Sequence, residues 1–331
     1  MALFVLRFDL RDPGLSDVPR ATRYRAALDM AEYAEERGFA AVALSEHHAS
    51  EDGYLSSALT FAAAVAARTR RIRIQIAAIV APLHDPVRLA QQAAVVDLIS
   101  EGRLSLVLAN GYVPAEFAMA DVPMRERVAR TVETIETLRK AWTAEPFEHR
   151  GRTVLVTPAP HTPGGPAIDL GGSSDAAARR AAQLGIGFVP TETGPWETYR
   201  KERVALGHDD PGELFRSDSR FFHLSDDPDA DWDRIAPYAM HESNAYARWL
   251  AEAGGGIYQA YDDVDALSAS GDYRALTPAA LAAELHAGGP CAMATFHPLM
   301  GGLPPALGWE SLRRVEDVQR ELATVEPALL A

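Results

Sequence analysis

Short apolar runs rich in β-forming residues alternate along the chain with longer stretches whose apolar positions recur at helical spacing. Leu3-Phe4-Val5-Leu6-Arg7-Phe8 predicts a first strand. Residues 23–37 predict a helix with Ala27, Met30, Ala31 and Ala34 on one face and Gly38 as its stop. Residues 41–44 predict a second strand and 57–68 an Ala-rich, mostly buried helix. Residues 72–80 predict a third strand, apolar on both faces in its second half as a parallel strand is. A helix over 86–99 carries Pro86 in its first turn. A fourth strand spans 104–109 and a long amphipathic helix 125–142. Residues 143–166, rich in Pro, Gly and Thr, predict an excursion. Alternation then resumes, with strands over 167–170, 187–189, 219–224 and 292–296. The matching helices span 175–184, 196–206, 232–253 and 309–322, and residues 226–290 are the least regular stretch.

Such alternation is the signature of a parallel sheet with crossover helices. Eight strands, each followed by a helix, predict the α/β class and a (β/α)8 TIM barrel. The expected organisation is a single domain over residues 1–331, with irregular insertions near 143–166 and 226–290. A doubly wound open sheet is the competing architecture.

Charge and cysteine usage narrow the function classes. Lys and Arg number 32 against 46 Asp and Glu, a formal net charge of −14. Phosphate backbones and anionic membrane surfaces need clustered cations, so neither nucleic acid nor membrane is an expected partner. Cys291 is the one cysteine in the sequence, which leaves no intrachain disulfide and no cysteine-based zinc cluster. The first ten residues show no basic-then-apolar leader, and no apolar run reaches membrane-spanning length. The expected location is the cytoplasm.

Barrel active sites lie at the C-terminal ends of the strands, so polar residues just beyond each strand carry most weight. Ser45-Glu46-His47-His48 follows the second strand. One reading has a histidine titrating near neutral pH and moving a proton; the other has one imidazole bonded to backbone and one solvated. A metal is not expected. Neighbouring residues of an extended segment point opposite ways, and no second His/Asp/Glu cluster has ligand-like spacing. Ala77-Ala78 near the end of the third strand would let a flat ligand lie on backbone, or serve tight packing. Asn110-Gly111-Tyr112 follows the fourth strand and offers a donor, an acceptor and a close backbone approach, or an ordinary turn. Gly171-Gly172-Ser173-Ser174-Asp175 runs into a helix start that suits an anion such as phosphate. Asp175 opposes this, and N-capping by Ser174 or Asp175 also accounts for the motif. Tyr112, Phe117, Trp196, Tyr199, Phe222, Tyr238 and Trp249 are candidates for an aromatic pocket or for core.

With these residues in view, the chain resembles the bacterial luciferase-like flavin monooxygenase family. The likeness runs through Ser45-Glu46-His47-His48, Ala77-Ala78-Ile79-Val80-Ala81-Pro82 and His84-Asp85-Pro86-Val87-Arg88. It continues in Asp97-Leu98-Ile99-Ser100-Glu101-Gly102-Arg103, Gly111-Tyr112 with Glu116-Phe117, Gly301-Gly302-Leu303-Pro304-Pro305 and Trp309-Glu310-Ser311-Leu312. It covers nearly the whole chain and is strongest over residues 40–140.

The resemblance implies a barrel that binds reduced FMN delivered by a separate flavin reductase. It further implies reaction with dioxygen through a flavin hydroperoxide and oxygenation of a small organic substrate. His47 matches the proposed catalytic base, and Glu46 and His48 match residues near the flavin. Ala77-Ala78 matches the site of a non-proline cis peptide beneath the flavin ring. Ser173 and Ser174, with Gly171 and Gly172, match the phosphate-binding loop. Ala109 stands where luciferase catalytic subunits carry a cysteine, and Asn110 where they carry a flavin-contacting arginine. Light emission is therefore not expected. A 5-deazaflavin-dependent oxidoreductase and a non-catalytic flavin-binding protein are the alternatives. The apolar helices over 57–68 and 86–99 point to a homodimer.

Overall fold

The computed structural model describes residues 2–217, 220–256 and 258–325. The chain begins β1 (Leu3–Phe8), α1 (Arg20–Glu36), β2 (Ala41–Leu44), α2 (Ala58–Arg68), β3 (Arg73–Val80) and α3 (Pro86–Ser100). It continues with β4 (Leu104–Ala109), α4 (Pro114–Met119), α5 (Arg127–Ala141), β5 (Phe147–His149) and β6 (Arg152–Val154). Then come β7 (Ala167–Gly172), α6 (Asp175–Gln183), β8 (Gly187–Pro190), α7 (Thr193–Ala205), β9 (Phe221–Leu224) and α8 (Pro228–Glu252). The last elements are α9 (Val264–Ala269), β10 (Tyr273–Leu276), α10 (Pro278–Ala287), β11 (Met293–Phe296), α11 (Pro305–Arg313) and α12 (Val315–Val325).

These elements form two compact units. One comprises the described residues of Met1–Val42, Ser50–Leu55 and Phe215–Ala331; the other comprises Ala43–Ala49 and Ser56–Leu214. Hydrogen-bonded strands follow the order β11-β1-β2 in the first unit and β2-β3-β4-β7-β8 in the second, the chain passing from one to the other within β2.

In the first unit, β1 pairs in parallel with β11, Leu3 opposite Met293 through Leu6 opposite Phe296. β9 and β10 form a second parallel pair. The 25-residue helix α8 starts at an Asp227 cap and packs Ile235, Tyr238 and Ala239 against Phe221, Leu267, Tyr273, Met300 and Leu303. Beyond β1, the fully buried Arg11 places its Nε 3.0 Å from Oδ2 of the fully buried Asp9. Its guanidinium lies 4.7, 4.8 and 5.6 Å from the ring centroids of Tyr54, Tyr246 and Trp249.

In the second unit the β3-β4-β7-β8 pairings are all parallel. Asp85 caps α3 by accepting from the Val87 and Arg88 amides, and Pro86 occupies its first turn, where no amide is needed. α6 presses Ala177, Ala178, Ala181 and Ala182 inward. These small residues let the helix lie close on the sheet.

Most predicted elements stand within a few residues of where the pattern puts them. The excursion over 143–166 contains the β5–β6 antiparallel hairpin. Residues 226–290, expected to hold one helix over 232–253 in an otherwise irregular stretch, hold that helix as α8 and also α9, β10 and α10. β10 escaped notice because its four residues show no alternation of their own; pairing with β9 makes the strand. The helix predicted over 309–322 divides at Arg314 into α11 and α12. Of the strand predicted over 219–224, residue 219 lies outside the described residues. No helix among the described residues is long and apolar enough to cross a membrane.

Candidate active site

The densest polar cluster of the second unit grows from the end of β2. Ser45, Glu46 and His47 are buried there, and His48 is half-buried. His47 and His48 engage different partners, as an extended segment requires. Nδ1 of His47 lies 2.8 Å from Oε1 of Glu116, a fully buried carboxylate on the short helix α4. The same oxygen accepts the backbone N–H of His48 at 2.8 Å. A carboxylate in this position accepts, so Nδ1 carries the proton and Nε2 carries the basic lone pair. Tyr112 meets the His47 ring edge-on, centroids 5.7 Å apart.

Glu46 organises the second imidazole. Its Oε1 accepts from His48 Nε2 at 3.0 Å, from His84 Nε2 at 2.8 Å and from the Val80 amide at 3.3 Å. Burial alone would raise the Glu46 carboxyl, but the hydrogen bonds and charges of His48 and His84 bring it down to about 2. Burial pushes His48 down, and its bond to Glu46 outweighs this and raises it. Glu46, His48 and His84 thus gather three donor atoms within 4.8 Å of one another. His84 was not expected in the cluster. It stands 38 residues from Glu46, and only the adjacency of β2 and β3 brings it in. A second group with this spacing, Asp9, Glu242 and His297, lies in the first unit, all three buried.

The Ala77–Ala78 peptide is cis, as the resemblance implies. At the end of β4, Ala109 pairs with Val80, and the Oδ1 of Asn110 is buried without a hydrogen-bond partner. Gly111 follows at φ +71°, where a Cβ would come within 2.6 Å of Val80 Cγ1 and 3.0 Å of the Phe117 ring, so both backbone and space call for glycine. Gly171 and Gly172 belong to β7 rather than to the loop after it. Gly172 lets the strand meet α6, since a Cβ there would lie 2.6 Å from that of Ala177. Ser173 and Ser174 are exposed, and Ser174 Oγ caps α6 by accepting the Ala177 amide at 3.3 Å.

The aromatic candidates divide. Phe117 and Tyr199 are core of the second unit, and Trp196 stacks near Tyr199 while donating to the Gly212 carbonyl. Phe222 and Tyr238 are buried in the first unit, where Trp249 helps cage Arg11.

The sequence profile of the luciferase-like monooxygenase family matches residues 4–291. Among curated proteins, the chain is 29% identical over 134 residues to 4-hydroxyprotoasukamycin monooxygenase of Streptomyces nodosus subsp. asukaensis, 40% of this chain and 34% of that protein. It is 28% identical over 221 residues to F420-dependent glucose-6-phosphate dehydrogenase of Nocardia farcinica, 62% of this chain and 66% of that one. It is 29% identical over 130 residues to the oxygenase component of the flavin-dependent trigonelline monooxygenase of Acinetobacter baylyi, 39% of this chain and 36% of that one. The aligned stretch spans less than two-thirds of each of these relatives. Among solved structures, monooxygenase RslO1 from Streptomyces bottropensis matches with a TM-score of 0.73 at 24% identity, over 96% of this chain and 99% of that chain. The oxygenating constituent of 3,6-diketocamphane monooxygenase from Pseudomonas putida, solved with FMN, matches with a TM-score of 0.74 at 19% identity, over 95% and 97%. These likenesses show the fold, the mixed α/β, TIM-barrel-like one that the alternation predicts.

Proposed function

The chain belongs to the luciferase-like monooxygenase family, and from that premise we propose that it is an FMN-dependent monooxygenase that oxygenates a small organic molecule. The observation that carries this reading is the buried Glu116–His47 pair beside the Glu46–His48–His84 cluster at the end of β2. It is a proton-handling centre of the kind such a reaction needs.

The residues fit a flavin. Asn110 Oδ1 is a buried acceptor in want of a donor, and flavin rings carry such N–H groups. Ala77, Ala109 and Gly171 are small and half-buried, which leaves backbone open to a flat ring. Ser173 and Ser174 stand at the start of α6, where amides and hydroxyls suit a phosphate. Ala77, Ala78, Ala109, Asn110, Gly172, Ser173 and Ser174 would hold the group, with Glu46 and His48 at its side. Reduced FMN supplies the electrons with which dioxygen is activated.

The chain's own part is to move protons and fix geometry. Glu116 holds His47 in the Nδ1–H tautomer, so that Nε2 takes or returns a proton at the reacting atoms. Glu46 orients His48 and His84 through Oε1. The buried setting of Glu46, His47 and Glu116 keeps water from this machinery.

Anaerobic titration with reduced FMN, then an oxygen pulse with a candidate substrate, tests the reading. Tight binding and oxygenated product are expected, together with their loss in His47→Ala. Binding without oxygen uptake would sink it. The likeness to an F420-dependent dehydrogenase supports a second reading, hydride transfer with a 5-deazaflavin. Tighter binding of a deazaflavin than of FMN would favour it. We further propose a separate reductase as partner, supported by the relative named as an oxygenase component. A homodimer through α3 is proposed as well. Val95, Leu98 and Ile99 share one face of that helix and are 44%, 40% and 43% exposed. Sedimentation of a monomer at micromolar concentration would exclude it.

A further inference from the structure

The sheet of the second unit has one face turned from its helices, and where β3, β4, β7 and β8 lie in register that face carries mostly small residues. Leu170 is fully buried and Gly172 abuts Ala177 of α6, so both look toward the helix layer. Alternation puts Asp169 and Gly171 on the opposite face. A Cβ on Gly171 would lie 3.1 Å from Val107 and 3.6 Å from Ala109, and one on Gly187 would collide with Oδ1 of Asp169. In register with Val107 stands Ala77. A packed barrel interior is built of bulky branched side chains. Here the positions are Ala77, Val107, Ala109, Asp169, Gly171 and Gly187, and all but Val107 retain exposure.

Asp169 is the one ionisable group among those six. No hydrogen bond or ion pair holds its carboxylate among the described residues, and loss of water pushes its pKa up. The neighbouring Tyr199 hydroxyl is committed to the Ile186 carbonyl at 2.8 Å. Gly187 clears the space the carboxylate occupies. The carboxylate is half-buried and its oxygens keep access to water, so a ligand donor can take the place of that water.

We propose that Asp169 anchors the organic substrate, accepting a hydrogen bond from an ammonium or hydroxyl group of a molecule at the Asp169–Gly187 edge of this face, beside the positions proposed for the flavin ring. The inference rests on the monooxygenase reading for the identity of the bound molecule as substrate. It adds the class: a compound with a cationic or hydrogen-bond-donating group, and not a carboxylate. A flavin ribityl hydroxyl offers similar chemistry, and the test separates the two.

The test uses the purified full chain without flavin and three ring-matched probes at pH 8, benzylamine, benzyl alcohol and benzoate, followed by calorimetry. Benzylamine is expected to bind about tenfold tighter than benzyl alcohol, as a charge-assisted bond exceeds a neutral one, with benzoate weakest. Asp169→Asn should erase the preference for the amine. Gly187→Ala, whose methyl displaces the carboxylate, should erase it too, with circular dichroism showing both variants folded. Equal binding of the three probes by the unaltered chain, or an amine preference that survives in folded Asp169→Asn, overturns the proposal. FMN titration should be the same in the unaltered chain and in Asp169→Asn; a fivefold weakening would give the carboxylate to the flavin and also overturn it. Failure of the unaltered chain to bind FMN would strike the monooxygenase reading alone, because the amine preference is read without flavin.

Discussion

Nδ1 of His47 lies 2.8 Å from Oε1 of Glu116, which is fully buried and accepts the His48 backbone N–H through the same atom. One carboxylate thus fixes both the tautomer of the side chain and the path of the backbone beside it. Glu116→Gln offers an amide that can present either its oxygen or its NH2 to Nδ1, so the tautomer is no longer dictated. Under the proposed function, turnover should fall about 100-fold, within the range for general acid–base groups. FMN affinity should change less than turnover, because the Glu116 side chain meets the proton path at His47 and the flavin's side only through the His48 backbone N–H. Steady-state oxygen uptake and an FMN titration on the same variant check this; unaltered turnover would remove Glu116 from the proton path.

Glu46 sets a pH dependence of stability whose sign is fixed by its depressed pKa. Its folded value of about 2 against an ordinary 4.5 means that its contribution is full above 4.5 and is lost as pH falls toward 2. The difference corresponds to roughly 3–4 kcal/mol at 1.4 kcal/mol per pKa unit. The raised His48 acts in the other direction: its contribution is full below the ordinary 6.5 and is lost as pH rises through its folded value. Melting curves of the unaltered chain and of Glu46→Gln should therefore differ most between pH 4.5 and 6.5. The gap should close as pH falls toward 2 and only narrow as pH rises through the folded value of His48, because the Glu46 contribution persists there. A gap independent of pH would mean that Glu46 acts through packing rather than charge.

The alternation of apolar runs and helical patterns was enough to predict the architecture, because burial on both faces of a parallel strand writes itself into the sequence. The Glu46–His47–His48 run was legible for the same reason, falling at a strand end. Its partners were not. Glu116 stands 69 residues from His47 and His84 stands 38 from Glu46, separations that only the packing of β2, β3 and β4 closes. Both lay inside the segments that carry the family resemblance, which was the available signal. Asp169 was not singled out, although it stands as a carboxylate inside a short apolar strand. The Arg11 cage was invisible, since Tyr246 and Trp249 meet Arg11 from more than 230 residues away.

That cage is a stability element of the first unit. Burial would raise Asp9, but the charges of His297 and Arg11 hold it well below the ordinary carboxylate range. Asp9→Ala would leave the fully buried Arg11 guanidinium with Asp52, whose Oδ2 lies 3.4 Å from Nη1, as its remaining carboxylate, and with Nη1 and Nη2 lacking hydrogen-bond partners. Breaking a buried pair on one side costs about 3–5 kcal/mol. Replacing both, as Asp9→Ala with Arg11→Met, should recover much of this, because the three aromatic rings accept an apolar chain. Urea midpoints of the single and double variants decide it. A double variant less stable than Asp9→Ala would show that Arg11 is held chiefly by the rings and not by the carboxylate.

Gly111 joins the end of β4 to the Tyr112 that meets His47, so strain there should be felt at the site. At φ +71° an alanine is disfavoured in backbone, and its methyl would lie 2.6 Å from Val80 Cγ1. Overpacking of this kind costs about 1–3 kcal/mol. Val80 also donates its amide to Glu46 at 3.3 Å, so a shift of Val80 disturbs the acceptor that holds His48 and His84. Gly111→Ala is therefore expected to lower the melting temperature and to flatten the pH dependence described for Glu46. Gly185→Ala is the control. It too has a positive φ, +63°, but nothing lies within 4 Å of its added Cβ. The control should lose stability through backbone strain alone and keep the pH dependence intact. Identical pH profiles in the two variants would refute the link from Gly111 through Val80 to Glu46.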